Sequence, residues 1–266
     1  MDWLKSEHDG TIRSSIPIPG VLDRMDDESR ATDPPSIATD PGVSGSQPRV
    51  GLVLGLIAYE VGMGALLFGS AKRWDLPWFW SFLAVHSSLM VIMLVLLDPG
   101  LVRERLRPGP GGRDRWLRRL MIPLYIVQLF LAGRDVGRKG WTGPLPIWVH
   151  SVGLLVFALG MGIAVWAMVV NQFFSPMVRI QDERGHHVIS AGPYGYVRHP
   201  GYTGILIATF ATGFALRSPW AVLPAFGITI LVLRRTWLED EFLLQGLPGY
   251  TEYAARVRFR LWPGVW

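Results

Sequence analysis

Residues 185–204 read Gly-His-His-Val-Ile-Ser-Ala-Gly-Pro-Tyr-Gly-Tyr-Val-Arg-His-Pro-Gly-Tyr-Thr-Gly, a concentration of histidine, arginine, tyrosine and proline between long apolar stretches. A chain that merely crossed a bilayer would place an ordinary polar loop there, so this density asks for a ligand. Pro200 disfavours helical geometry at His199 and predicts a turn at Arg198-His199. The same proline suits the first position of a helix running through 202–216. The amides at that helix start would face the turn and offer a place for an anion such as a carboxylate, to which Arg198 adds a fork of donors. Ser218-Pro219 repeats the pattern as an N-cap and a first-position proline, so 202–216 and 219–233 form a helical hairpin.

The second arm of that hairpin continues through Arg234 and Arg235 into Trp237-Leu238-Glu239-Asp240-Glu241 and carries Glu239 back toward the Arg-His turn. Cationic groups, a carboxylate and aromatic rings at one membrane face would suit a zwitterionic ligand. Arg235 and Glu239, four residues apart, could equally form an ordinary helix pair. Arg234 lies about 140° around a regular helix from Glu239, so these two share no face unless a ligand sits between them. Tyr250 and Tyr253 recur three apart in a final amphipathic segment and are expected to pack against the membrane surface.

The elements that must position these residues are transmembrane helices. Half of the 266 residues are apolar and only 18% are charged, below the roughly 25% of soluble domains. Stretches 50–71, 78–97 and 146–170 reach the roughly 20 apolar residues that a hydrocarbon core of about 30 Å requires. Three shorter runs cover 120–132, 202–216 and 219–233. The expected fold is an all-α integral membrane protein with five or six transmembrane helices. The doubt concerns 120–132, which would rise only about 20 Å as a helix and could be re-entrant. Arg103, Arg105, Arg107, Arg113, Arg115, Arg118 and Arg119 place the loop after the second span in the cytoplasm by the positive-inside rule. Six crossings put Met1, that loop, residues 185–204 and the C-terminus on the same side.

Residues 1–49 are rich in Asp, Ser and Pro and are expected to be a disordered acidic tail, with no apolar signal peptide ahead of the first span. With no cysteine, disulfides, thiol nucleophiles and cysteine metal clusters are excluded, and no metal site is expected. The net charge of +5 follows from the arginine loop and does not imply a nucleic-acid partner. Glu60 and His86, near the middles of neighbouring spans, are expected to form a structural polar clamp. His150, beside Trp148, fits an interfacial anchor.

The pattern His186-x-Val188-x-x-x-Gly192-Pro193-Tyr194-x-x-x-Arg198-His199-Pro200-x-Tyr202-x-Gly204, followed by the hairpin, the acidic pair and Gly249-Tyr250-x-x-Tyr253, resembles the isoprenylcysteine carboxyl methyltransferase family. The wider group includes membrane phospholipid N-methyltransferases, and the resemblance covers residues 171–266. It implies S-adenosylmethionine as methyl donor in a cytoplasmic-face pocket, with a lipophilic small molecule entering sideways from among the membrane lipids. On that resemblance His186, Val188, Ile189, Gly192, Tyr194, Tyr196, Arg198, His199, Pro200, Tyr202 and Gly204 are cofactor contacts. Glu239 partners the donor's amino group, and Arg234, at the family's spacing ahead of that acid, is a candidate for orienting substrate; these two are the catalytic candidates. The family usually carries two adjacent Glu where this chain has Glu239-Asp240, and the shorter Asp240 reaches less far.

The resulting organisation is a tail over 1–49, N-terminal helices with the arginine loop over 50–145, and a methyltransferase core over 146–266. Methyl transfer from a sulfonium is an in-line displacement, so positioning and desolvation can supply most of the rate. The expected acceptor is the carboxylate of an isoprenoid or prenylated thiol acid, which needs no general base. A lipid amine acceptor would need one. A sterol-type reductase using NADPH shares an Arg-His-Pro segment and is the further alternative, as is a non-catalytic membrane scaffold. The composition suits a bacterial inner-membrane protein with both termini in the cytoplasm.

Overall fold

The computed structural model describes residues 47–97, 101–102 and 114–266. The expected tail therefore lies outside the described residues except at 47–49, which open the first helix, and Arg103, Arg105, Arg107 and Arg113 lie outside them as well. All regular structure among the described residues is helical. In chain order the helices are α1 (Gln47–Ala71), α2 (Pro77–Leu96), α3 (Arg115–Arg134), α4 (Ile147–Val170), α5 (Pro200–Ala215), α6 (Leu223–Gly246) and α7 (Tyr250–Arg256). A π turn over Asp135–Lys139 prolongs α3, and a 3-10 turn over Pro219–Val222 leads into α6.

Among the described residues, five segments are long and apolar enough to cross a membrane: Gly51–Ala71, Pro77–Leu96, Arg115–Lys139, Ile147–Val170 and Pro219–Gly246. The protein is an all-α integral membrane protein. The re-entrant alternative for 120–132 is not what forms. The apolar run is the middle of a helix with arginines at both ends, and long basic side chains can reach the interface while their stems stay in the apolar layer.

Contacts between helix ends set the direction of each crossing. Asp114, at the start of α3, accepts the Val178 amide after the end of α4 and pairs with Arg235. Asp135, at the other end of α3, accepts from Ser218 between α5 and α6. His150 near the start of α4 meets the Ala215 carbonyl at the end of α5. So α3 starts, α4 ends, α5 starts and α6 ends on one side. The sixteen residues of α5 rise about 24 Å and run to the opposite side, so that this shorter helix also passes through the bundle alongside the five longer described segments.

Two polar groups settle differently from what the sequence suggests, and a third contact settles as expected. Ser218 does not cap the following turn, because its hydroxyl donates to Asp135 Oδ2 at 2.7 Å. His150 is no surface anchor; it is buried, with Nε2 3.0 Å from the Ser81 hydroxyl and Nδ1 against the Ala215 carbonyl, tying α4 to α2 and α5. Glu60 Oε1 and His86 Nδ1 meet at 2.6 Å between α1 and α2, which is the clamp expected of them.

The α4–α5 pair packs backbone to backbone. A Cβ on Gly160 would sit 2.7 Å from the Ala208 nitrogen, and one on Gly204 would overlap the Gly160 carbonyl oxygen and lie 2.6 Å from the Ala164 nitrogen. Small residues permit this approach in a bilayer, where van der Waals packing drives helix association. The contact anchors the start of α5, one turn after His199.

Candidate functional site

The Arg198-His199 turn forms as its proline requires. His199 is the N-cap of α5, with φ −127° and ψ 60°, and Pro200 occupies the first turn. The turn is not an open anion site, however. The amides of Arg198 and His199 donate to the carbonyls of Phe259 and Arg260 at 2.9 Å each, and the Tyr202 and Thr203 amides donate to the His199 carbonyl. The C-terminal segment is thereby stapled across the turn.

The anion the turn takes belongs to the chain itself. Asp240 on α6 is fully buried. Arg198 grips it with both forks, Nε to Oδ1 at 2.7 Å and Nη2 to Oδ2 at 2.8 Å. The Tyr250 hydroxyl donates to Oδ1 at 2.9 Å, Arg260 Nε to Oδ2 at 2.8 Å, and His199 Nε2 lies 3.3 Å from Oδ1. Arg198 Nη1 donates onward to the Val257 and Arg258 carbonyls at 2.9 Å. The expected fork of donors for a ligand is thus spent on Asp240 and the C-terminal segment. Bidentate arginine–carboxylate pairs are the strong ones, and burial makes their partners hard to remove.

Tyr250 and Tyr253 do not lie on the membrane surface either, since both are buried, with the Tyr253 hydroxyl donating to the Tyr194 carbonyl at 2.8 Å. Burial, and after it the Asp240 carboxylate, push the Tyr250 phenol far above its usual range, so it acts as a donor.

A cleft opens beside this knot, between residues 171–189 and the facing ends of α5 and α6. Of the residues singled out in the sequence, His186, Val188, Ile189, Tyr194, Arg198, His199, Tyr202 and Glu239 line it. Glu239 is the carboxylate that faces it. Its Oε2 accepts the Tyr202 hydroxyl at 2.5 Å, while Oε1 meets only His199 Nδ1, 3.9 Å away, among the described residues. The cleft is narrow as it stands, about 70 Å³. A nucleoside-sized ligand has to displace a wall, and residues 171–189 hold only one short turn of regular structure, Asp182–Arg184.

The remaining candidates sit elsewhere. Gly192 takes φ +57° to open the Gly192–Gly195 turn, where it supports Tyr194. Tyr196 is 72% exposed, Pro200 begins α5, and Gly204 belongs to the α4–α5 contact. Arg234 is exposed, with its guanidinium 4.5 Å from the Trp237 ring, on a different face of α6 from Glu239, as the roughly 140° between them requires. Successive helical residues turn about 100°, and the inward position goes to Arg235. Three functional groups escaped the sequence. Arg235 was visible only as a routine i,i+4 partner of Glu239. Asp240 showed as half of an acidic pair, and Asp114 carried no local signal at all.

His186 tests the polarity of the cleft wall. Burial, helped by the neighbouring His187, holds its imidazole down at about 4. Its ring lies 4.5 Å from Phe173, and Nδ1 accepts the Gln181 amide at 3.3 Å. The ordinary value is 6.5, so the unfolded chain binds more protons between those two values. The His186 contribution to stability is therefore complete above pH 6.5 and is lost as pH falls toward 4. His186→Gln is expected to flatten the fall of Tm between pH 7 and 4.5, and identical slopes in variant and parent would show that the ring titrates as in water.

Residues 148–247 match the family model described as phospholipid methyltransferase. Protein-S-isoprenylcysteine O-methyltransferase B of Arabidopsis thaliana is 30% identical over 114 residues, 41% of this chain and 57% of its own. The probable protein-S-isoprenylcysteine O-methyltransferase of Oryza sativa subsp. indica is 36% identical over 116 residues, 41% of this chain and 59% of its own. Its C-terminal region is thus similar to phospholipid and isoprenylcysteine methyltransferases. The match spans less than two thirds of the length of these plant relatives. A solved structure of the eukaryotic intramembrane Ras methyltransferase, isoprenylcysteine carboxyl methyltransferase, superposes with a TM-score of 0.40 at 16% identity, over 81% of this chain and 85% of that one. The family match takes in the last turns of α6, and so both carboxylates of the site, Glu239 and Asp240.

Proposed function

We propose that this chain is an S-adenosylmethionine-dependent membrane methyltransferase, with residues 146–266 as its core. The acceptor is a small lipophilic molecule, best the carboxylate of an isoprenoid or prenylated thiol acid, and the reaction occurs at the cytoplasmic face of a bacterial inner membrane. The observation that carries this reading is the adjacency of two unlike spaces along α5. Tyr202 lines the polar cleft, and one turn on, Leu206 begins an apolar groove of about 530 Å³ that continues past Phe210 and Phe214 toward Trp148. A polar methyl donor and an apolar acceptor chain would thus meet at one helix.

The cleft's residues fit the donor chemically. Glu239 offers the carboxylate oxygen not held by Tyr202 to an ammonium, and Tyr194, Phe173 and the neutral His186 present aromatic faces to a nucleobase. When bound, the donor supplies an electrophilic methyl on sulfonium. The chain's part is to align it with the acceptor and keep water out, which suffices for a carboxylate nucleophile. A lipid amine acceptor is the second reading, supported by His199 and Glu239, 3.9 Å apart, as the groups that could take its proton.

Membranes containing the chain, incubated with methyl-labelled donor, are expected to transfer label to a lipid extract, and Glu239→Gln to lower that transfer at least about a hundredfold. Base-labile label marks an ester and base-stable label an amine. No transfer from the donor, together with tight binding of NADPH, would replace the reading with a reductase.

A further inference from the structure

The side chain that decides how Glu239 presents itself lies one residue from the arginine the sequence favoured. Arg235 is almost wholly buried, and each of its three nitrogens is committed: Nε donates to the Tyr202 hydroxyl at 2.7 Å, Nη2 to the Pro176 carbonyl at 2.7 Å, and Nη1 pairs with Asp114 at 3.1 Å. A guanidinium only donates, so the Tyr202 oxygen must accept from Nε and has one proton left to give. That proton goes to Glu239 Oε2 at 2.5 Å. The direction of the whole chain, Arg235 to Tyr202 to Glu239, is thus set at its buried end, and the carboxylate cannot turn without breaking a bond to a fixed partner. One oxygen is held by Tyr202, and the other, Oε1, belongs to a residue that lines the cleft and has His199 Nδ1 3.9 Å away.

We propose that Arg235 is a positioning residue which, through Tyr202, fixes Glu239 so that Oε1 takes the protonated amine of the ligand's amino-acid end. This rests on the methyl-donor reading above. Tyr202 makes no direct contact with that end of the ligand, and its hydroxyl matters only through Glu239.

Isothermal titration of the purified full chain in detergent, with S-adenosylhomocysteine and with methylthioadenosine, tests this. The second compound keeps the nucleoside and thioether but lacks the amino-acid end. Tyr202→Phe is expected to weaken S-adenosylhomocysteine about tenfold and to leave methylthioadenosine within about twofold. Glu239→Gln should show the same selectivity, and Tyr202→Phe added to Glu239→Gln should cost nothing further. Arg235→Lys, which keeps a charge near Asp114 but loses the Nε–H to Tyr202, should reproduce the selective loss. If Arg235→Lys fails to fold, the Tyr202→Phe and Glu239→Gln pair decides alone. Equal weakening of both compounds by Tyr202→Phe, or losses that add in the double variant, would overturn the relay while leaving the methyl-donor reading intact. A parent protein that binds neither compound would instead overturn the methyl-donor reading, and the relay with it.

Discussion

Asp240→Asn is expected to destabilise the protein by about 3–5 kcal/mol, the usual cost of breaking a buried ion pair by removing one partner. The size follows from what the side chain holds. Arg198, Arg260 and Tyr250 all donate to one fully buried carboxylate, and its replacement by an amide removes the charge and turns one acceptor oxygen into a donor facing Arg198 Nη2. Because Arg198 also holds the Val257 and Arg258 carbonyls, the C-terminal segment should loosen first. The signs are a lower Tm by tryptophan fluorescence and faster proteolysis after residue 247. Arg198→Met should cost a similar amount by leaving Asp240 unpaired. The double variant should cost clearly less than the sum, since each single change strands the other's charge. An Arg198→Met protein with unchanged Tm but no ligand binding would return Arg198 to the role its motif position suggested, a direct ligand contact.

Gly204→Val should be comparably damaging by a different route. Its Cβ would overlap the Gly160 carbonyl and crowd the Ala164 nitrogen. Those are backbone atoms of a helix that cannot yield as a flexible side chain does, so α5 must move away from α4. Overpacking of this kind costs typically about 1–3 kcal/mol and sometimes more. The functional loss should exceed the stability loss, because His199 and Tyr202 ride on the displaced turn, and an ångström of misplacement can cost about a hundredfold in rate. Gly162→Ala on α4, where nothing lies within 4 Å, is the matched control and should change Tm by no more than an ordinary surface substitution. Equal effects of the two would mean that the α4–α5 approach does not position the site.

What the sequence determined by itself was local. Apolar length decided that helices cross a membrane, Pro200 decided that a helix starts after an Arg-His turn, and the continuation past 233 brought Glu239 back to that turn. Each follows from covalent geometry or from the cost of exposing a backbone to lipid, both written within a few consecutive residues. The span through 120–132 was harder to read because its flanking arginines hide the helix ends from an apolar count. Of the residues the resemblance singled out, His186, Val188, Ile189, Tyr194, His199, Tyr202 and Glu239 share a cleft.

Only the tertiary structure decided which charge meets which. A motif can show that Arg198 is an anion-binding arginine but not that its anion is Asp240, forty-two residues away. Likewise, spacing placed Arg234 in the family's position, whereas the rotation of α6 against α5 turned Arg235 inward and left Arg234 against Trp237. Asp114 and the carbonyls of 257–260 enter the site through contacts that no sequence window spans. The physical reason is the same in each case: a buried charge is stable only with a partner, and partners are chosen by packing in three dimensions, which a linear pattern constrains to a face and a depth but not to a pair.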